Sequence, residues 1–434
     1  MRLLILLAVV ACVAADRVLV LHDNDKIKQT HSIFFKSLEE RGHTLTYKSA
    51  VDSTVQLIQF DELSYEHLIL FAPSVEDFGG INNAEINQFV DLGGNVLVAA
   101  GSNIGEAIRQ LALDNGFEFD EAGTNLIDHH NFDARLDDGT HTTLVADKSQ
   151  LINAKIVIGE IANPVLFKGV ALIADSKNLL RLDILRAQST AYSFSTQNPI
   201  DQYPAVVGKQ ALMIGALQAR NNARVVFCGS LDLFSDAFIN AEVTKAGLTE
   251  KPTTSGNKAL ITELSKWVLK EKGVLRTKSV THHLAGQNIV PKEYTIMEEV
   301  EYAIGIEELK EGKWVAFTGK DVQLEFIRVD PFVRTTLKPK NGVLSAKFKL
   351  PDVIGVYKFS VDYRRVGYTH LHEVRAVPVR PLWHNQYERF IVAAYPYYAS
   401  SLSMMIGVVL FSFVFLHFKE PEKVVESVKE RKDK

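Results

Sequence analysis

Residues 390–418 contain no Asp, Glu, Lys or Arg and are mostly Val, Leu, Ile, Met, Phe and Ala. A helix of about 20 apolar residues is enough to cross the hydrocarbon core of a bilayer, and a buried helix of a soluble domain rarely runs so far without a charge. The stretch predicts one membrane-spanning helix, and the rest of the chain must fold around that anchor. Tyr395, Tyr397 and Tyr398 gather at one end, where amphipathic rings favour the headgroup layer, and Arg389 and Lys419 bound the run. Pro396 falls near the expected helix start, where its missing N–H costs little. Ala399, Ser403 and Gly407 recur every fourth residue, so small side chains share one helical face. Lipid offers no hydrophobic drive for helix association, and close packing along such a face has to supply it. The spacing therefore predicts a docking stripe for another helix.

At the other end, Met1-Arg2 precedes an apolar run over residues 3–11 and then small residues as far as Ala15. That pattern is a secretory signal peptide over residues 1–15, cleaved after Ala14 or Ala15 and too short to span. One later span then places residues 16–389 on the luminal side and 419–434 in the cytosol, a single-pass type I arrangement. The formal net charge of −4 gives no reason to expect nucleic acid as a partner. Cys12 leaves with the signal, so Cys228 stands alone and no intramolecular disulfide can form; its apolar surroundings, Val225-Val226-Phe227, predict a buried structural thiol. The chain contains no Asn-x-Ser/Thr acceptor.

The fold class follows from hydrophobic periodicity. Arg17-Val18-Leu19-Val20-Leu21 is apolar without alternation, as in a strand buried on both faces. Ile27, Phe34, Phe35 and Leu38 predict a helix ending at Gly42, followed by strands at 44–47 and 68–72, a helix at 84–92 and a strand at 96–100. This alternation predicts a doubly wound, mostly parallel α/β sheet over residues 16–122. A second, β-richer α/β unit is expected over 123–273, with a hairpin joining 212–217 to 224–228 and a helix at 258–272. Beyond Gly273, short strands recur about every dozen residues; Tyr294, Ile296, Val300, Tyr302, Ile304 and Ile306 lie on alternate positions. That spacing predicts a β-sandwich over 274–383, then linker and membrane helix over 384–418.

Candidate chemistry is sparse. Asp128-His129-His130 and His282-His283 have metal-like composition, but neighbours on a strand face opposite ways and no further spaced ligand is evident, so hydrogen-bonded turns are expected and no metal is assigned. Asp23-x-Asp25 lies at a strand end, the place where α/β sheets bind ligands. Together with His22, Glu76 and Asp77 it forms a candidate polar rim for sugars. Gly101-Ser102 follows a buried strand without the Gly-x-Ser-x-Gly of a nucleophile elbow. Phosphate-binding glycine signatures are absent, and no cofactor and no catalytic residue are assigned. These residues favour a luminal scaffold; a glycan-handling enzyme or lectin acting on its own is the alternative.

Several long strings carry a resemblance. Thr30-His31-Ser32-Ile33-Phe34-Phe35-Lys36-Ser37-Leu38, Pro73-Ser74-Val75-Glu76-Asp77-Phe78-Gly79-Gly80, Gln218-Ala219-Arg220-Asn221-Asn222-Ala223-Arg224, Gly229-Ser230-Leu231-Asp232, Asp330-Pro331-Phe332-Val333-Arg334-Thr335, Gly367-Tyr368-Thr369-His370 and Gln386-Tyr387-Glu388-Arg389-Phe390 resemble the family of non-catalytic 48 kDa subunits of the oligosaccharyltransferase complex. The resemblance implies an endoplasmic reticulum membrane complex that transfers a preassembled oligosaccharide from dolichyl diphosphate to asparagine. It also implies packing beside ribophorin II, the small Dad subunit, ribophorin I and the multi-spanning catalytic subunit, and a glutamine-amidotransferase-like N-terminal fold. A lysine-based retrieval signal is implied at the C-terminus, where Arg431-Lys432 departs from the family pattern.

Overall fold

The computed structural model describes residues 16–247, 253–340, 342–389 and 391–420. The expected signal peptide over 1–15, Phe390 and the Arg431-Lys432 pair lie outside them.

A nine-stranded mixed sheet dominates the N-terminal part. Its strands are β1 (Arg17–His22), β2 (Thr44–Ser49), β3 (His67–Phe71), β4 (Asn95–Ala99), β5 (Phe117–Phe119), β6 (Leu172–Ala174), β7 (Arg181–Arg186), β8 (Leu212–Gln218) and β9 (Arg224–Cys228). The order is β2-β1-β3-β4-β9-β8-β6-β5, with β7 also paired to β8. Neighbours from β2 to β9 run parallel and the remaining pairs antiparallel. The unalternating apolar strands are explained by burial on both sides. Val18 and Val20 feed one core with Ile69, Phe71 and Val226, whereas Leu19 and Leu21 feed another with Leu68, Leu70 and Phe227. Helices Ser32–Glu40 and Asn257–Val268 cover the first face, and Asn83–Asp91 and Glu106–Asp114 the second. The expected hairpin forms, with β8 and β9 paired antiparallel and Asn222 turning at φ 67°. The sheet continues across residue 122: β6 to β9 share it with β1 to β5, because β9 inserts beside β4.

Two expected elements divide. The helix through Ile27 and Leu38 is two helices, Ile27–Thr30 and Ser32–Glu40, broken at His31 (φ −123°). Local sequence supplies no cap for the second. Asp236, 204 residues away, accepts from Ser32 N (3.1 Å), Ser32 Oγ (2.7 Å) and Ile33 N (2.9 Å) instead. Asp236→Ala is expected to lower stability by about 1–2 kcal/mol, the usual weight of an N-cap, as read by denaturant unfolding.

The second division lies in the C-terminal sandwich, which has two five-stranded sheets. The alternating run from Tyr294 to Ile306 contributes to both, because Met297 takes φ 65° and breaks it. Tyr294–Thr295 pairs parallel with Leu371–Arg380 in one sheet, and Glu299–Lys310 belongs to the other. Between the sheets, Phe326 stacks on Tyr357 at 4.5 Å, with Tyr302 and Phe359 stacked beside them at 5.2 Å.

Candidate functional site

The apolar run forms helix Tyr395–His417 with Pro396 in its first turn. Val392–His417 has the length and composition to cross a membrane; its most apolar 18 residues have a mean hydropathy of 2.2, and none of them is buried against the protein. Gly407 has open space where a Cβ would stand. Ser403 Oγ donates to the Ser400 carbonyl at 2.8 Å, so its polar group is satisfied within the helix.

The polar rim lies where the connections of the sheet reverse direction. The chain leaves β1 to build β2 on one side and returns to build β3 on the other, so the loops after β1 and β3 flank a crevice at the carboxyl ends of the strands. Asp23 and Ser74 close part of that crevice: Ser74 Oγ donates to Asp23 Oδ2 at 2.8 Å. His22 is buried, with Nδ1 3.7 Å from the exposed Asp25 carboxylate. Glu76 accepts from Glu106 N at 3.1 Å and thereby ties the loop to the first turn of helix Glu106–Asp114; Asp77 is exposed. Close backbone contact fixes the loop, since a Cβ on Gly79 would lie 2.0 Å from Val51 O and one on Gly105 2.0 Å from Val75 O. Asp23, Glu76 and Ser74 are thus largely committed to holding the loops together, while Asp25 and Asp77 face solvent. A polar recess of about 960 Å³ opens beside this edge, between Ser102-Asn103 and the segments 120–125 and 193–203. Its walls come from three distant parts of the chain, and only Ser102 carried a sequence signal.

Burial holds both His22 and His31 below the ordinary imidazole pKa of 6.5. The folded state takes up these protons at lower pH than the unfolded chain. Their contribution to stability is therefore complete above pH 6.5 and is lost as pH falls below it. Denaturant midpoints are expected to drop between pH 7 and pH 5, and to drop less in His31→Gln.

Of the two histidine pairs, only the first lies in the expected turn; His282 and His283 stand within strand Leu275–Leu284, paired with Tyr302 and Glu301, because the strand period continues through them. Asp128 accepts from His130 N (2.9 Å), Asn131 N (3.2 Å), Asn131 Nδ2 (2.9 Å) and Thr190 Oγ1 (2.7 Å), which leaves it a hub of a hydrogen-bonded turn. His129 faces His141 and Tyr192, while His282 meets the Tyr294 hydroxyl at 2.8 Å. Cys228 is buried, and burial pushes its thiol up to about 12.

Comparison with known proteins decides the family. The profile of the OST48 N-terminal domain matches residues 10–271 and that of the OST48 middle domain residues 282–419. Proteins named as the dolichyl-diphosphooligosaccharide–protein glycosyltransferase 48 kDa subunit are similar along almost the whole length. The one from Caenorhabditis elegans is 55% identical, covering 96% of both chains. That from Danio rerio is 55% identical over 95% of this chain and 94% of its own, and that from Drosophila melanogaster 51% identical over 99% and 98%. The chain belongs to the OST48 family. A solved carbohydrate deacetylase aligns with 65% of the chain and 35% of its own at a TM-score of 0.34 and 10% identity, too remote to carry any argument.

Two of the strings that resemble the OST48 family meet in space. The hairpin 218–224 lies against 367–370 and joins the nine-stranded sheet to the sandwich. Gln218 Nε2 donates to Tyr368 O (2.7 Å), His370 N to Asn222 Oδ1 (2.7 Å), and Arg224 Nη2 to Gly367 O (3.2 Å). Trp267, fully buried, donates through Nε1 to the same Gly367 carbonyl at 2.8 Å. Arg224 is itself fully buried. Its guanidinium reaches the carbonyls of Lys272 and Gly273, both at 2.9 Å, and sits 4.8 Å from the Trp267 ring. Burial pulls its pKa down to about 9. Sequence reasoning missed this clamp because its partners stand 43 to 150 residues apart.

Proposed function

We propose that this chain is a non-catalytic, structural subunit of the oligosaccharyltransferase complex of the endoplasmic reticulum. That complex transfers a preassembled oligosaccharide from dolichyl diphosphate to asparagine in Asn-x-Ser/Thr. The observation that carries the reading is 55% identity, over 96% of both chains, to a protein named as the 48 kDa subunit of that glycosyltransferase. In this reading the helix anchors a type I chain with its sheet and sandwich in the lumen. Ala399, Ser403 and Gly407 form the face that packs against partner helices, and the multi-spanning catalytic subunit, ribophorin II, the Dad subunit and ribophorin I are the partners. His22, Asp23, Asp25, Glu76 and Asp77 form a rim for the glycan, in which Asp25 and Asp77 face outward, Asp23 and Glu76 hold its loops and His22 is buried, and Arg431-Lys432 serves in retrieval.

A tagged full-length chain captured from membranes is expected to bring down activity that glycosylates an Asn-x-Ser/Thr peptide from dolichyl-diphosphate oligosaccharide. That activity should vanish when the catalytic subunit is inactivated and this chain is left intact. Transfer that persists without the catalytic subunit would overturn the non-catalytic role.

A further inference from the structure

The amino ends of β1, β2 and β3, at the edge of the sheet remote from the rim, bring together three groups far apart in sequence. Asp16, His43 and His67 each offer one ligand atom, and these atoms all lie within 4.8 Å of one another. Both imidazoles are buried, with side chains 4% exposed, while the Asp16 carboxylate is half exposed and 3.8 Å from His67 Nε2. His43 Nδ1 and His67 Nε2 have no hydrogen-bond partner. A buried polar atom without a partner costs free energy, and native structures rarely leave one unless an ion or water completes it.

The far side of each ring is held. Glu271 Oε1 lies 2.9 Å from His43 Nε2 and is itself gripped by Arg41 Nη1 at 2.7 Å. With its Nε2 proton given to Glu271, His43 turns the Nδ1 lone pair toward the cluster. A carboxylate behind a histidine in this way is the outer-shell arrangement that orients metal ligands. Asn95 stands behind His67, with Nδ2 3.1 Å from Nδ1.

We propose that Asp16, His43 and His67 form a binding site for a divalent transition metal of the zinc class. The ligands are the Asp16 carboxylate, His43 Nδ1 and His67 Nε2, and a fourth position is left for water on the exposed side. Two imidazoles with one carboxylate suit zinc, whereas calcium and magnesium call for a shell of oxygens. A bound ion would staple the residue before β1 to the first residue of β3 and the residue before β2.

His67 sets the affinity. Asn95 Oδ1 accepts from Arg224 N at 3.0 Å, so the amide nitrogen of Asn95 faces His67 Nδ1 and favours the proton on Nε2. Ligation through Nε2 moves that proton to Nδ1, where it needs an acceptor. Asn95→Asp has nearly the same shape and offers an oxygen to Arg224 N–H and another to His67 Nδ1–H. It is therefore expected to tighten binding rather than weaken it.

The test uses the full chain in detergent, stripped with a chelator and titrated with zinc, with cobalt as the spectroscopic probe. One equivalent of zinc is expected, with a thermal midpoint that rises with zinc concentration as linkage requires, and with visible cobalt bands of a four-coordinate nitrogen–oxygen site. Asp16→Asn, at an exposed position that folding tolerates, should weaken zinc binding about tenfold or more, and Asn95→Asp should tighten it by a similar factor, the range over which ligands and outer-shell partners act. Absence of stoichiometric zinc in the wild-type chain would overturn the site. So would wild-type affinity in both Asp16→Asn and His43→Gln, since the ion would then lie elsewhere.

Discussion

Gly367→Ala is expected to cost the folded chain about 3 kcal/mol, the sum of a left-handed backbone penalty of about 1 kcal/mol and the displacement of packed neighbours. Gly367 takes φ +84°, and a Cβ there would lie 2.2 Å from Ile156 Cγ2 and 2.8 Å from Val157 Cγ2. Both neighbours are β-branched and Val157 is fully buried, so neither can swing aside as a long side chain could. The Gly367 carbonyl also receives Trp267 Nε1 and Arg224 Nη2. Any shift that relieves the clash withdraws an acceptor from two buried donors, one of them charged. Gly123→Ala is the matched control, with the same φ of +84° and open space around its Cβ. Denaturant unfolding of the detergent-solubilised chain should give a loss of about 1 kcal/mol for the control. Equal losses in the two variants would mean that the junction between sheet and sandwich is not packed as described.

Legibility of the sequence follows the range of the interactions. Val18-Leu19-Val20-Leu21 reads as a buried strand because its apolar pattern is local, and Tyr395–His417 reads as a membrane helix for the same reason. The hairpin 212–228 is legible because its turn and both strands are contiguous. Nothing near Ser32 announces the break at His31, since the cap that stabilises it comes from Asp236. Likewise, nothing near Tyr294 announces that the chain changes sheet at Met297. The rim residues were legible as strand-end polar groups, but the Asp23–Ser74 bond that closes the crevice was not. Asp16, His43 and His67 were passed over for the same reason, because only the parallel pairing of β1 with β2 and β3 brings them together. The conspicuous Asp128-His129-His130 string owes its form to a turn.

Gly407→Leu carries the other large effect. A leucine at this position meets nothing within the chain itself, because the space around the Gly407 Cβ direction is open, and it adds apolar surface to a helix already suited to lipid. Folding and insertion of the subunit should be unchanged. A partner helix seated on Ala399, Ser403 and Gly407 would be pushed away, and van der Waals packing, the main drive for association in lipid, would fall steeply with separation.

Quantitative co-purification of the partner subunits with tagged Gly407→Leu, compared with the wild type at equal membrane insertion, is the most direct measurement. The structural role assigned to this helix predicts at least a tenfold loss of the captured catalytic subunit and a parallel loss of glycosylation activity. Recovery of the intact, active complex with the leucine in place would show that this face meets lipid and that the helix is an anchor alone.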